Sequence, residues 1–214
     1  MAGKRRALFV DLDGTVRSTK TGRPHPVKAW DQRIRSGVKE KLAEYRQNGY
    51  AIVGVTNQGG VAYGLLTEAD VVSINAYLSQ KLLPDTFDLI LYCPYHANGR
   101  VERYRQDAEC RKPKPGMAFD ARDQLDLDLA TSIMVGDMSS DKEFAANAGI
   151  GAYHDAGDFF GPDSEPERKP RPASQQPTTK RAAKLTMKRA SPATPTAASR
   201  GAASLVDQPL TGAR

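Results

Sequence analysis

Short apolar runs that alternate with helical patterns constrain the fold of this chain more than any other feature. The runs hold four to six residues, too few for a helix of ordinary length, and polar residues follow most of them. Between them, apolar residues recur at helical spacing, as at Val71, Ile74 and Leu78. The predicted strands are Ala7–Val10, Tyr50–Val55, Phe87–Tyr92, Thr131–Val135 and Ile150–Tyr153.

This alternation predicts an α/β fold. Five strand and helix repeats indicate a Rossmann-like three-layer α/β/α sandwich with a mostly parallel five-stranded sheet. Residues 16–35 contain Gly22, Pro24 and Pro26 without a clear period, so we predict a loop or flap there and no cap domain. In such folds the reactive crevice lies outside the carboxyl ends of the strands, so the residues at those ends are the functional candidates.

Charge and composition change near residue 161. Residues 163–214 hold ten Lys and Arg against four Asp and Glu, which accounts for the formal net charge of +6 of the 214 residues. Their Pro, Ala, Ser, Thr, Lys and Arg cannot bury enough apolar surface to offset the entropy of ordering. We predict a folded domain over 1–161 and a disordered basic tail over 162–214, in which a short helix over 181–189 is the only element that the pattern allows.

The tail is most simply a solubilising extension, with contact to nucleic acid as the alternative. Only the short run Ala7–Val10 precedes the first acidic residue, so we expect no signal peptide, no membrane partner and a cytoplasmic location. Cys93 and Cys110 are too few for a disulfide framework, and buried thiols, one bridge and metal ligation stay open. The oligomeric state is also open, and a monomer is compatible with the sequence.

Carboxylates at two strand ends predict a metal site. Asp11 and Asp13 follow the first strand and, being two residues apart in extended chain, project to one side, while Gly14 lets the backbone turn away. Asp137 follows the fourth strand. Several carboxylates around a phosphate repel one another unless a cation lies among them, and Mg²⁺ prefers such oxygen ligands.

Groups that bind a phosphoryl group follow other strands. Lys112 supplies a fixed positive charge beside Arg111, and the Thr56 hydroxyl, next to Asn57, donates a hydrogen bond. Taken singly, each feature has a structural explanation, because an Asp pair before glycine can be a turn, a basic run can be solvated and an Asp after a strand can cap a helix. Together they predict phosphoryl-transfer chemistry.

Four motifs in a fixed order make the prediction specific. They are D-x-D-G-T at Asp11–Thr15, T-N-Q at Thr56–Gln58, R-K-P-K-P-G at Arg111–Gly116 and G-D-x-x-x-D at Gly136–Asp141. This order resembles the haloacid dehalogenase superfamily of hydrolases over residues 7–153. The resemblance implies a phosphatase in which Asp11 is the nucleophile that forms an aspartyl-phosphate, and Asp13 protonates the leaving alcohol and later deprotonates water.

The resemblance also implies the other roles. These are phosphate binding by Thr56, Asn57, Arg111 and Lys112, Mg²⁺ coordination by Asp11, the Asp13 carbonyl and Asp137, and support from Asp141. The R-K-P-K-P-G loop and the missing cap resemble the capless subgroup that contains heptose bisphosphate and histidinol phosphatases, with polynucleotide 3′-phosphatases as relatives.

Two departures from that subgroup affect the substrate expectation. Leu12 gives D-L-D-G, as in the polynucleotide group, where the sugar and histidinol enzymes have D-R-D-G. The zinc loop of the heptose enzymes is incomplete, since only Cys93, His96 and Cys110 are available as soft ligands. We therefore expect a small sugar phosphate as substrate, a nucleic-acid 3′ end as the alternative, and an inactive binding module as the third hypothesis.

Overall fold

The computed structural model describes residues 3–82, 86–162 and 187–189. In chain order, its strands are β1 (Ala7–Val10), β2 (Arg17–Ser18), β3 (Arg33–Ile34), β4 (Ala51–Asn57), β5 (Leu89–Cys93), β6 (Ile133–Gly136), β7 (Ala152–Asp155) and β8 (Met187–Arg189). The α-helices among these residues are α1 (Val38–Gln47), α2 (Glu68–Lys81), α3 (Gly116–Leu125), α4 (Ser139–Ala148) and α5 (Ala156–Phe160).

Six parallel strands form the central sheet in the order β7-β6-β1-β4-β5-β8. The predicted α/β class is confirmed, and the five predicted strands are β1, β4, β5, β6 and β7 with ends shifted by up to two residues. Strand β1 lies between β4 and β6, so that Val10 is opposite both Gly54 and Val135. The chain order changes direction at this point in the sheet, where α/β folds bind their ligands.

Both faces of β1 are buried, which is why its sequence is apolar without alternation. Phe9 packs into a cluster with α3 and α4, through side chains such as Met117 and Phe144. Leu8 and Val10 pack on the other face, in a cluster that includes Leu42 of α1. The end of β1 is therefore fixed by packing on two sides, and this packing also restrains the backbone of Asp11, the next residue.

Helix ends follow local sequence signals in two places. The predicted capping box of α2 is present, because Thr67 Oγ1 accepts from the Asp70 amide at 3.1 Å and the Asp70 carboxylate accepts from the Thr67 amide at 2.9 Å. Helix α4 ends at Gly149, whose φ of 69° is the left-handed conformation that glycine adopts readily.

The segment predicted as a loop or flap contains a small sheet of its own. Strands β2 and β3 pair antiparallel, with Arg17 opposite Ile34. We call residues 16–35 the flap. Apart from Val16 and Pro26, its buried residues, such as Arg17, Asp31 and Gln32, are polar, which explains why no apolar period reveals the two strands in the sequence.

Strand β8 lies in the basic tail and pairs parallel with β5, Met187 being opposite Ile90 and Arg189 opposite Tyr92. The short helix that the pattern allowed over 181–189 is therefore not formed at residues 187–189, where an unpaired sheet edge favours the extended chain over the isolated helical turn. Residues 163–186 and 190–214, on which the rest of the tail prediction falls, lie outside the described residues. Among the residues that are described, no helix has the length and hydrophobicity needed to cross a membrane.

Candidate active site

Three carboxylates and one ammonium group meet beyond the carboxyl end of β1. Oxygen atoms of Asp11, Asp137 and Asp141 all lie within 4.8 Å of one another. The Nζ atom of Lys112 lies 2.6 Å from Asp11 Oδ1 and 2.6 Å from Asp141 Oδ1. The predicted convergence of the first strand, position 137 and Lys112 is therefore confirmed as geometry.

Burial disfavours the charged forms of the groups in this cluster. Lys112 is 4% exposed, and it donates a further hydrogen bond of 3.0 Å to the Val55 carbonyl at the end of β4. Burial opposes the charge on Lys112, but Asp11 and Asp141 outweigh it and raise the pKa of the ammonium group above its usual value. Lys112 is therefore a permanent positive charge inside the site.

Burial also raises the pKa of Asp11, from 3.8 to about 7, because Lys112 only partly offsets desolvation and the repulsion from Asp141 and Asp13. Asp11 Oδ2 is buried and has no hydrogen-bond partner among the described residues. Desolvation and nearby Asp141 likewise raise the pKa of Asp137, although the Thr15 hydroxyl donates to it at 3.0 Å. These carboxylates carry more negative charge than Lys112 neutralises, and so they fit a divalent cation.

Two glycines make room for the carboxylates. Gly14 has a φ of 96°, and a Cβ atom there would collide with the Asp137 carboxylate. A Cβ atom on Gly136 would collide with the side chain of Asp141. The glycines in the first and last motifs therefore admit the acidic side chains to the space beyond β1.

Asn57 holds the loop that carries Lys112. Its Nδ2 donates to the Lys112 carbonyl at 3.0 Å, and its Oδ1 accepts from the Lys112 amide at 3.0 Å. Because both ends of the side-chain amide are occupied by the Lys112 backbone, the geometry assigns this side chain a positioning contact. The sequence analysis expected a phosphate contact at Asn57.

A disulfide joins Cys93, the last residue of β5, to Cys110, directly before the basic pair at 111–112. Both cysteines are buried, as the sequence suggested, but they are not free thiols. His96 Nδ1 lies 3.2 Å from the Tyr63 hydroxyl and accepts from the Asn98 amide at 3.1 Å. The three soft ligands of the incomplete zinc loop are thus engaged with one another or with neighbouring residues.

Asp13 faces a different set of partners from Asp11. Its Oδ1 accepts from Arg17 Nε at 2.6 Å and its Oδ2 accepts from Gln58 Nε2 at 2.7 Å. The carboxylate group of Asp13 is not part of the acidic cluster, so only its backbone carbonyl is left for the predicted metal contact. Sequence analysis missed Arg17, and it quoted Gln58 in a motif without assigning it a role.

The remaining predicted residues line one cleft of about 450 Å³ beside these groups. Thr56 is buried, and its hydroxyl accepts from Gln58 Nε2 at 3.0 Å. Arg111 reaches the same cleft and donates to the Tyr95 carbonyl at 3.2 Å. Pro24 and His25 of the flap form part of the wall. The cleft thus combines an acidic cluster, fixed cations and hydrogen-bond donors.

Comparison with known proteins agrees with this geometry. Residues 6–160 match the sequence model of the family described as polynucleotide kinase 3 phosphatase. The D-glycero-beta-D-manno-heptose-1,7-bisphosphate 7-phosphatase of Salmonella typhi is 41% identical over 153 residues, which are 71% of this chain and 80% of the relative. The enzyme of that name from Escherichia coli K12 is 40% identical, with 71% of this chain and 78% of the relative covered.

Solved structures show the same fold. A HAD-like phosphatase of Mesorhizobium loti superposes with a TM-score of 0.61 and 25% identity, covering 77% of this chain and 91% of that one. The D,D-heptose 1,7-bisphosphate phosphatase of B. bronchiseptica, solved with magnesium and phosphate, gives a TM-score of 0.57 and 28% identity, covering 69% and 78%.

The fold, the four motifs and the acidic crevice define a phosphatase of the haloacid dehalogenase type. Within that class, the chain belongs to the family described as polynucleotide kinase 3 phosphatase.

Proposed function

We propose that this protein is a Mg²⁺-dependent phosphomonoesterase that works through an aspartyl-phosphate on Asp11, with a small sugar bisphosphate of the heptose type as substrate. The observation that carries the proposal is the buried contact between Lys112 and Asp11 inside a cluster of three carboxylates. The sugar assignment rests on relatives at about 40% identity that are named heptose bisphosphate 7-phosphatases.

Asp11, Asp137 and the Asp13 carbonyl are the groups that we assign to Mg²⁺, with Asp141 behind them. The unpartnered Asp11 Oδ2 and the raised pKa of Asp11 support this assignment, because a neighbouring cation favours the ionised carboxylate. When bound, the cation neutralises charge on the phosphoryl oxygens and on the carboxylates around them.

The chain's own groups then divide the reaction into two steps. The Asp11 carboxylate attacks phosphorus, the bond from phosphorus to the alcohol oxygen breaks, and that oxygen takes a proton from Asp13. Asp13 next accepts a proton from water, whose oxygen attacks phosphorus, and the bond to Asp11 breaks to release inorganic phosphate. Lys112 and Thr56 supply a fixed charge and a hydroxyl toward the phosphoryl oxygens throughout.

A direct test measures phosphate release from heptose 1,7-bisphosphate with and without Mg²⁺, together with trapping of the phosphoenzyme. We expect Mg²⁺-dependent turnover and a phosphorylated peptide that contains Asp11. Turnover without any phosphoenzyme on Asp11 would contradict the mechanism. Phosphoenzyme formed from other monoesters, but not from the heptose compound, would keep the mechanism and reject the substrate.

A nucleic-acid 3′ end is the second candidate substrate, favoured by the matching family and by a basic extension of the cleft. A neighbouring pocket of about 400 Å³ shares Pro24, His25 and Leu65 with the catalytic cleft and adds the cations Arg23 and Lys28. These cations would contact phosphates near a strand end.

The two substrates can be separated by comparing turnover of a 3′-phosphorylated oligonucleotide with that of the sugar bisphosphate as salt increases. The test uses the full chain and a chain ending after Arg189, which keeps β8 in place. Turnover of the oligonucleotide that is faster than that of the sugar, and that falls steeply with salt, would favour the nucleic-acid substrate. Slow, salt-insensitive turnover of the oligonucleotide would favour the sugar.

A further inference from the structure

A buried arginine on the flap holds the predicted proton donor. Arg17 is 1% exposed and has the largest side chain among the fully buried residues. Its Nε donates to Asp13 Oδ1 at 2.6 Å, and this is its only ionic contact among the described residues. Burying an arginine is costly unless its charge is paired, and Asp13 is the group that supplies this pairing.

The other end of the guanidinium group is fixed by neutral acceptors. Nη1 donates to Gln32 Oε1 at 2.9 Å and to Asn75 Oδ1 at 3.0 Å. Gln32 is itself held by α2, because its Nε2 donates to the Ile74 carbonyl at 2.9 Å. Arg17 is therefore clamped between the flap and α2, so its Nε is a fixed donor for Asp13.

Together, Arg17 and Gln58 occupy both oxygens of the Asp13 carboxylate. Two donors from different elements allow the carboxylate little rotation about its χ2 torsion. A proton donor must lie within hydrogen-bond reach of the leaving oxygen with its proton correctly aimed, so this restraint bears directly on proton transfer.

We propose that Arg17 is a positioning residue for proton transfer by Asp13, and that it makes the protein competent toward substrates whose alcohol leaves only when protonated. The inference rests on the proposed phosphatase function. The step that it assists is the breaking of the bond between phosphorus and the alcohol oxygen, with the proton passing from the Asp13 carboxyl to that oxygen.

Leaving groups of different basicity provide the test. An alkyl monoester such as glycerol phosphate needs a proton on its leaving oxygen, whereas p-nitrophenyl phosphate releases a stable anion. In Mg²⁺-containing single-turnover experiments, Arg17→Met is expected to slow alkyl phosphate cleavage by on the order of 10²-fold, the lower range for general acid catalysis. Cleavage of p-nitrophenyl phosphate is expected to fall less than about tenfold, and Arg17→Lys should recover part of the alkyl rate.

Asp31→Ala is the matched control, because it removes two hydrogen bonds to Thr21 inside the flap and touches neither Arg17 nor Asp13. It should lower stability while keeping the ratio of the two cleavage rates at the wild-type value. If Arg17→Met does not fold, the same ratio is measured in Arg17→Lys, where a fall by several-fold is expected.

Equal slowing of both substrates in a folded Arg17 variant, or no slowing at all, would show that Arg17 only stabilises the flap and would overturn the inference. A wild-type protein that cleaves neither of these monoesters nor heptose 1,7-bisphosphate would instead refute the proposed function. These two failures are therefore distinguishable.

Discussion

Two aspartates separated by one residue, Asp11 and Asp13, sit in contrasting surroundings. On the sheet side of the site, Asp11 shares Lys112 with Asp141, so two carboxylates compete for one ammonium group. On the flap side, Asp13 has Arg17 to itself. The sheet side therefore carries an excess of negative charge that suits a metal, whereas the flap side is a balanced ion pair that holds Asp13 in one orientation.

Replacement of Asp11, the proposed nucleophile, should separate activity from stability most sharply. In Asp11→Asn, we expect turnover to fall by roughly 10⁴-fold or more, as when other covalent nucleophiles are removed. Asn at position 11 removes the desolvation cost of a buried carboxylate while Lys112 keeps Asp141 as its partner, so at neutral pH the free energy of unfolding should not fall below the wild-type value. Steady-state kinetics and urea denaturation measure both, and unchanged turnover would refute the assigned nucleophile.

Asp13→Asn should differ from Asp11→Asn in both turnover and the free energy of unfolding. Turnover of alkyl phosphates is expected to fall by roughly 10²- to 10⁴-fold, the range of general acid catalysis. The buried guanidinium of Arg17 loses its only ionic partner among the described residues, so the free energy of unfolding should drop by about 3 kcal/mol. If denaturation shows equal stability for the Asp11 and Asp13 variants, the contrast between the two sides is wrong.

The charge excess on the sheet side predicts a pH dependence of stability in metal-free protein. Because folding raises the pKa of Asp11 from 3.8 to about 7, the folded state binds this proton more tightly than the unfolded state does. That stabilising contribution is complete below 3.8 and is lost as the pH rises through about 7, on the order of a few kcal/mol in total.

Chemical denaturation across this pH range measures the effect against a matched variant. Asp11→Asn should remove this part of the pH dependence, and added Mg²⁺ should restore stability at the upper end of the range, since a cation replaces the proton. A wild-type curve that is parallel to that of Asp11→Asn would contradict the raised pKa.

A smaller effect is expected when the two hydrogen bonds between the Asn57 side chain and the Lys112 backbone are removed. Asn57→Leu removes two hydrogen bonds to the Lys112 backbone, each worth about 1 kcal/mol, and should lower kcat by about tenfold through misplacement of the ammonium group. Thr67→Ala is the control, because loss of this helix cap costs about 1 kcal/mol and Thr67 is not among the residues that line the catalytic cleft. Equal kcat in the two variants would argue against a positioning contact.

The sequence predicted the sheet side better than the flap side for a physical reason. Parallel strands bring their carboxyl ends to one edge, so Asp11 and Asp137 could be placed together from local patterns alone. The contact of Asp141 with Lys112 depends on how α4 packs, which local patterns do not specify. Asp13 is only four residues from Arg17, but local patterns did not show that this arginine is buried, since its other partners Gln32 and Asn75 lie 15 and 58 residues away.

The disulfide and the sixth strand escaped prediction for related reasons. Spacing alone does not show that Cys93 and Cys110 are brought together, since their contact depends on the path of the loop between them. Strand β8 has neither alternation nor length, and it is defined by its neighbour β5 rather than by its own residues. Elements of this kind are specified by partners distant in sequence.

Strand β8 also affects how the molecule meets other copies of itself. By pairing along Ile90–Tyr92, it occupies backbone amides and carbonyls that would otherwise form an open edge. Those residues of β5 are apolar, and an uncovered edge of this composition is a template for intermolecular strand addition. The three residues of β8 can therefore protect this edge against self-association, and a chain that lacks them would expose it.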